Sequence, residues 1–388
     1  MSYRLVKNTW LQVVQKCLFI LYNAAYVMYK FDVLGNNLQL FLLFIFIIFN
    51  VLVWVFSDLR WSRIKWAYPF KNGIIIIGVT VLISFIIQIY HNDFQNYLIL
   101  SSLSFFTPIL TAFILVNTVR KNDYNFYINI LLIKTLIIFF VENASNFSLS
   151  NLMQISWSNS FSPFESSMAH EFLLLECVYL SLNKKKTAFI SMVFCMLSMK
   201  RISFLMAPFL FLVANRINKI EIKFSTLKLW TIFLKAITFL SPFVIIFFYR
   251  EQTSIFLMNV FDFDLNGFMS GRLAIYKLLI NNIPYFNGFG SVNSWLLQFS
   301  YTYFGTTWNG ILHNDVLRIY YELTFVGFII FFNGFINIFK KNIWTIIMGT
   351  YLLFVIITSH LFDYYPVWLI YYFGCSIIYS SNDIVKKE

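Results

Sequence analysis

The chain has 388 residues, 59% of them hydrophobic and only 12% charged, with a formal net charge of +12. Soluble domains carry about 25% charged residues, so a soluble enzyme or binding module is excluded. Apolar runs of ~20 residues recur along the chain, the pattern of a polytopic membrane protein. The positive excess reads as the positive-inside bias of membrane loops and does not call for nucleic acid as a partner. Cys17, Cys177, Cys195 and Cys375 all fall inside apolar runs, with neither metal-ligand spacing nor a disulfide framework.

Taken in order, the apolar runs predict an all-α chain of about twelve transmembrane helices in a single membrane domain. The first span covers residues 12–29 and, lacking a clear small-residue cleavage site, is expected to stay as an anchor. The second covers 38–56 and precedes a basic loop with Arg60, Arg63, Lys65 and Lys71. Spans follow at 73–90, 98–119 and 126–141, then an Asn- and Ser-rich outer loop at 142–165 and a sixth span at 166–182. The runs 187–199 and 202–217 are each short for a full span of ~20 residues. Basic flanks at Lys184–Lys186 and at Arg216 and Lys219 favour two short helices, with Lys200 and Arg201 at their outer end. The ninth span covers 229–249 and is followed by a long outer loop at 250–312. The tenth runs from near His313 to Lys340, the eleventh covers 343–359 and the last 367–381. Both termini then lie inside. Of the 29 Lys and Arg, 19 fall in inner segments and six in outer ones; Lys16, Lys134, Lys235 and Arg318 lie within spans. The opposite orientation would invert that ratio. The four histidines, His91, His170, His313 and His360, all fall on the outer side.

The polar stretch from Phe261 to Gly327 holds most of the residues fitted for chemistry. Arg272 opens a segment with Leu273, Ile275, Tyr276, Leu278 and Leu279 that reads as an amphipathic helix. An outer arginine departs from the positive-inside bias. It is either an ordinary solvated side chain or a phosphate clamp, since guanidinium grips phosphate oxygens through paired hydrogen bonds. Arg201 shares the anomaly, and snorkelling to the interface is its plain reading. Two such arginines could hold a diphosphate and stabilise its growing charge as it departs. His313 stands where the polar loop meets the membrane, beside a helix start that Asn314 or Asp315 can cap. With an unperturbed pKa near 6.5 it suits proton removal from a hydroxyl. Arg318 and Glu322, four apart, share one helix face; they form a helix-stabilising ion pair, or they orient His313 or line a substrate cavity.

His170 and Glu171 lie near the outer end of the sixth span, with Glu176 deeper. A carboxylate there could hold an acceptor hydroxyl, or the group could be a packed polar pair. Lys134, in the fifth span, has no evident role. Asp262-Phe263-Asp264 matches a short metal-binding pattern common by chance, and no metal site is expected. Asn287-Gly288-Phe289-Gly290 reads as a tight turn and not as a dinucleotide fingerprint. Trp295 and Trp308, among Asn293, Gln298, Tyr301, Tyr303 and Asn309, suit sugar rings or an interfacial aromatic belt equally.

The order of these features resembles the bacterial O-antigen polymerase and O-antigen ligase superfamily. They are Ser198-Met199-Lys200-Arg201 at the outer end of a short helix pair, Ser270-Gly271-Arg272 opening the late outer loop, the Gly288–Gly290 turn, and His313-Asn314 leading into a span with Glu322 and Gly327. Lys200 stands where the family often has serine. The resemblance implies a GT-C-like membrane glycosyltransferase acting on the outer face of the inner membrane without metal or other cofactor. Its donor and acceptor would be undecaprenyl-diphosphate-linked oligosaccharides. By the same analogy Arg272 and Arg201 hold the diphosphate, and His313 assists the acceptor hydroxyl or the phosphate. Polymerase is the first expectation, with ligase and a lipid-linked oligosaccharide flippase as alternatives. A chain-length regulator protein is a candidate partner.

Overall fold

A computed structural model describes residues 9–56, 68–92, 97–148, 150–151, 163–198, 200–219, 224–261, 273–282, 287–304, 312–362 and 364–385. Among the described residues the chain is helical and has no strand. Every apolar run singled out in the sequence forms a helix. These are α1 (Thr9–Lys30), α2 (Asn36–Phe56), α3 (Tyr68–His91), α4 (Tyr97–Thr118), α5 (Tyr124–Glu142), α6 (Met168–Ser181), α7 (Lys185–Leu197), α8 (Arg201–Ile217) and α9 (Phe224–Tyr249). The polar stretch adds α10 (Glu251–Phe261), α11 (Leu273–Asn282) and α12 (Ser291–Phe304), so the expected loop at 250–312 is largely helical in its described part. The chain ends with α13 (Asp315–Phe339), α14 (Ile343–Thr358) and α15 (Tyr365–Val385).

Seven of these, α1 to α5, α9 and α13, are long and apolar enough to cross a membrane. The expectation of about twelve spans is met to that extent. Helices α6, α7, α8 and α14 have 14, 13, 17 and 16 residues. At 1.5 Å per residue they run about 20 to 26 Å, short of the ~30 Å hydrocarbon core. Helix α15 has 21 residues but is not one of the seven. Apolar side chains confirm which faces need an apolar solvent. On α2, Phe41, Phe44, Ile48, Leu52 and Val55 are exposed and recur every three or four residues. On α9, Leu229, Ile232, Phe233, Leu240, Phe243, Val244 and Phe247 do the same. Exposed apolar stripes of this length suit lipid and not water.

The helices group into two compact units, residues 1–67, 108–221 and 366–388 in the first, and 68–107 and 222–365 in the second. In the first unit α1 packs on α2 and α5, α5 packs on α6, and α6, α7 and α8 pack on one another. The short pair α7–α8 is two helices, as the basic flanks require. At one end Lys200 Nζ pairs with Glu165 at 2.6 Å; at the other Asn218 Nδ2 donates to the Leu180 carbonyl at 3.0 Å and to Asn183 Oδ1 at 2.9 Å. In the second unit α13 is the hub and contacts α3, α9, α12 and α14. Its apolar stretch is mostly buried, whereas that of α2 is mostly exposed. Gly327 and Gly334 let α13 approach α3 closely, because a Cβ at either would fall within 3 Å of an α3 isoleucine, Ile83 or Ile76.

The basic residues inside the spans are matched within their own unit. Lys16 pairs with Asp123 at 2.6 Å, and Lys235 Nζ donates to Asn333 Oδ1 at 2.6 Å. Lys134 meets Glu171 Oε2 at 2.9 Å, and Thr135 Oγ1 donates to the same oxygen at 2.7 Å. Both members of this pair are buried, and the Lys134 ammonium also sits 5.2 Å from the Tyr26 ring centroid. Removing one partner strands a charge in an apolar interior, whereas removing both is nearly neutral. Lys134→Met is expected to destabilise the protein by about 3 kcal/mol. Adding Glu171→Leu should recover most of that loss, read as the thermal unfolding midpoint in detergent; no recovery would mean that Glu171 does not depend on Lys134.

Candidate functional site

The site assembles around the start of α13. Asn314, in extended conformation (φ −160°, ψ 93°), caps the helix by accepting the Leu317 N–H at 2.8 Å. That choice between the two candidate caps leaves Asp315 for another task. Its Oδ2 accepts the backbone N–H groups of Leu361 and Phe362, the latter at 3.0 Å, while its own N–H donates to the Ser359 carbonyl at 3.3 Å. Asp315 is fully buried and so ties the turn after α14 to the start of α13. Two backbone donors on one carboxylate make that tie strong.

This tie brings His360 against His313. The two Nδ1 atoms lie 2.9 Å apart, with ring centroids at 4.6 Å and planes at 71°. Only one proton fits between nitrogens at that distance, so one ring donates and the other accepts. Tyr364 Oη lies 3.2 Å from His360 Nε2. From the other side, Tyr276 on α11 donates its hydroxyl to the His313 carbonyl at 2.9 Å. The Leu312 N–H donates to Asn293 Oδ1 on α12 at 3.2 Å. The backbone at 312–313 is therefore held from α11 and α12, and both rings remain partly exposed.

Beneath the histidines the helix carries buried charge. Arg318 Nε is 3.2 Å from Glu322 Oε1, and Arg318 Nη1 is 3.7 Å from Asp315 Oδ1. The i,i+4 spacing read in the sequence is thus an ion pair, and Asp315 extends it. The Arg318 guanidinium also lies 5.3 Å from the Phe289 ring centroid. Glu322 Oε1 accepts the Val292 N–H at 3.1 Å, which fixes the start of α12. Glu322 Oε2 has no hydrogen-bond partner among the described residues. Phe105 packs against Phe289, Phe331 and Phe362 with centroids 5.4 to 5.9 Å apart, so an aromatic wall shields the cluster.

The expected turn at Asn287–Gly290 is present. Gly288 and Gly290 have φ of 90° and 89°, and the Phe289 N–H donates to Ser84 Oγ on α3 at 2.9 Å. A Cβ on Gly288 would meet Ser84 Cβ at 2.8 Å, so glycine serves both the positive φ and the close approach.

An irregularity was not expected. Thr324 interrupts α13 with φ 63° and ψ 172°, a region used almost only by glycine. Helix α13 has 25 residues and α14 only 16. A straight α13 would overshoot its antiparallel neighbour by about 13 Å. The break lets the first turns of α13 leave that line while Asp315 still bonds the end of α14. Thr324→Gly should relieve the strain at some entropic cost, for a net gain of about 1 kcal/mol. A rise of roughly 2–4 °C in the unfolding midpoint is expected; a fall would show that the threonine side chain is needed at the break.

The remaining candidates are distributed as follows. Trp295 stacks on Phe299 at 5.4 Å and packs against a buried cluster that includes Tyr249, Tyr276 and Leu312. Arg201 is the first residue of α8, and His170 and Glu171 are buried in α6; all three belong to the first unit. Glu171 has Lys134 and Thr135 as partners, which accounts for a lysine that the sequence left without a role. Glu176 is buried, and neither of its carboxyl oxygens has a hydrogen-bond partner among the described residues. Arg272, Trp308 and the Asp262–Asp264 pattern lie outside the described residues; α11 begins with the residue after Arg272. No group of three metal-ligating side chains occurs among the described residues. His360, Tyr364 and Tyr276 are the members that sequence reasoning missed. One signal was available: α13 and α14 form a hairpin, so residues just before the first and just after the second must return to one end.

No protein-family model, no curated protein and no solved structure matches this chain.

Proposed function

We propose that this protein is a membrane glycosyltransferase that polymerises oligosaccharide repeat units carried on undecaprenyl diphosphate. The observation that carries the reading is the paired, partly exposed His313 at the junction of a polar helical stretch with an apolar helix, over a buried Asp315–Arg318–Glu322 cluster. In this reading His313 takes the proton from the acceptor hydroxyl as its oxygen bonds the donor's anomeric carbon. The anomeric C–O bond breaks, and the diphosphate leaves with the electron pair. Arg272 is assigned to the diphosphate, since a guanidinium group neutralises charge developing on phosphate oxygens. Trp295 and Trp308 are assigned to sugar faces. The buried acidic–basic cluster supports the reading indirectly: it fixes the backbone that carries His313 and does not itself need to touch substrate.

The surface polysaccharide of a strain lacking this gene tests the proposal on a gel. Surface glycan of a single repeat, without long chains, is expected. Loss of all surface-attached glycan with long chains still on the lipid carrier would identify a ligase instead. Lipid-linked repeats trapped on the cytoplasmic side would identify a flippase and remove the catalytic role of His313.

A further inference from the structure

His313 and His360 come from opposite ends of a helical hairpin and share one short contact. We infer that His360 is a positioning residue that sets the tautomer of His313, holding the proton of His313 on Nδ1 so that Nε2 is the basic atom. The inference rests on the proposed role of His313 as a base.

The steps are chemical. A neutral imidazole carries one N–H, on either Nδ1 or Nε2, and the partner of one nitrogen decides the state of the other. The 2.9 Å contact between the two Nδ1 atoms occupies that nitrogen on both rings. A proton from a substrate hydroxyl must therefore enter His313 at Nε2. Nε2 has a lone pair to offer only while Nδ1 carries the hydrogen and donates it to His360. His360 in turn accepts with Nδ1, so its own proton sits on Nε2, where Tyr364 Oη lies at 3.2 Å to receive it. The chain Tyr364–His360–His313 thus has one consistent set of donors in the proton-accepting state. When Nε2 takes up a proton, the Nδ1–H···Nδ1 bond becomes charge-assisted and strengthens. The second ring serves the purpose that a carboxylate serves in a Ser-His-Asp triad, without adding a negative charge beside a diphosphate.

Geometry supports a built arrangement and not a chance encounter. Asp315 fixes the turn carrying His360 through two backbone N–H groups, and Tyr276 fixes the His313 carbonyl. The charged groups nearest along α13 are Asp315 and Arg318, and both are engaged in the buried cluster.

The test uses the full-length protein in detergent, with ¹⁵N-labelled histidine. The chain has four histidines, so ring nitrogen signals are few, and those of His313 follow by difference from His313→Gln. At a pH where the rings are neutral, His313 is expected as the Nδ1–H form. In His360→Phe it should revert to the Nε2–H form favoured by a free imidazole side chain. In His360→Gln, whose amide oxygen can accept from Nδ1–H, the wild-type form should persist. Turnover with lipid-linked repeats should fall about 10- to 100-fold in His360→Phe, with KM unchanged, and recover in His360→Gln. An Nε2–H tautomer for His313 in the wild type, or one that does not respond to His360→Phe, overturns the inference. The expected tautomer shift in a protein that makes no polymer would leave the histidine pair standing and sink the polymerase reading alone.

Discussion

His313→Ala is expected to abolish long-chain polymer while leaving the amount of protein in the membrane unchanged. A general base contributes about 10²–10⁴-fold to a rate, and a polymer made by many successive transfers should compound that loss into absence. The side chain is partly exposed, and its ring meets that of His360, which is partly exposed as well. The backbone contacts from Tyr276 and Asn293 go to main-chain atoms of 312 and 313 and survive the substitution. Stability should therefore change little, which separates this variant from those in the cluster below it. The readout is the glycan profile beside an immunoblot of membranes. Normal chain length from His313→Ala would remove histidine from the chemistry.

Arg318→Met is expected to have the largest effect on folding. It leaves Asp315 and Glu322 buried without their shared cation, and breaking a buried ionic group by removing one member costs about 3–5 kcal/mol. Each carboxylate keeps backbone donors, Asp315 from the turn at 361–362 and Glu322 from the start of α12. Glu322→Gln in the Arg318→Met background removes one of the two stranded charges, so partial recovery of the unfolding midpoint is expected. No recovery would place the damage in lost packing against Phe289 and not in stranded charge.

The helices were legible because a membrane makes apolar length its own signal. Runs such as 38–56 and 229–249 are dominated by apolar residues, and the helices that they form begin two and five residues earlier and end where the runs end. Short-range features were legible for a related reason. The Asn314 cap, the Arg318–Glu322 pair and the Gly288–Gly290 turn each depend on neighbours within about four residues, where spacing fixes geometry. Span length was less legible. The sequence marks where α6, α7, α8 and α14 begin and end but not whether helices of 13 to 17 residues cross the bilayer.

Long-range partners were not legible at all. Lys134 and Glu171 are 37 residues apart on different helices, and no local pattern pairs them. His360 is 47 residues from His313, and its role rests on a turn that Asp315 holds through main-chain atoms, which leave no mark on residue type. The break in α13 was hidden differently. Thr324 is a β-branched residue in a conformation that would normally announce itself as glycine.

The most direct measurement is transfer by the purified protein. The protein would be reconstituted in liposomes with undecaprenyl-diphosphate-linked repeat units of a single length, and the lipid-linked products separated by size. A ladder of longer lipid-linked chains, with release of undecaprenyl diphosphate and no added nucleotide or metal, is expected from the wild type and lost in His313→Ala. Repeat units of unchanged length from a folded wild-type protein would contradict a polymerase, wherever else the histidine pair proved to act.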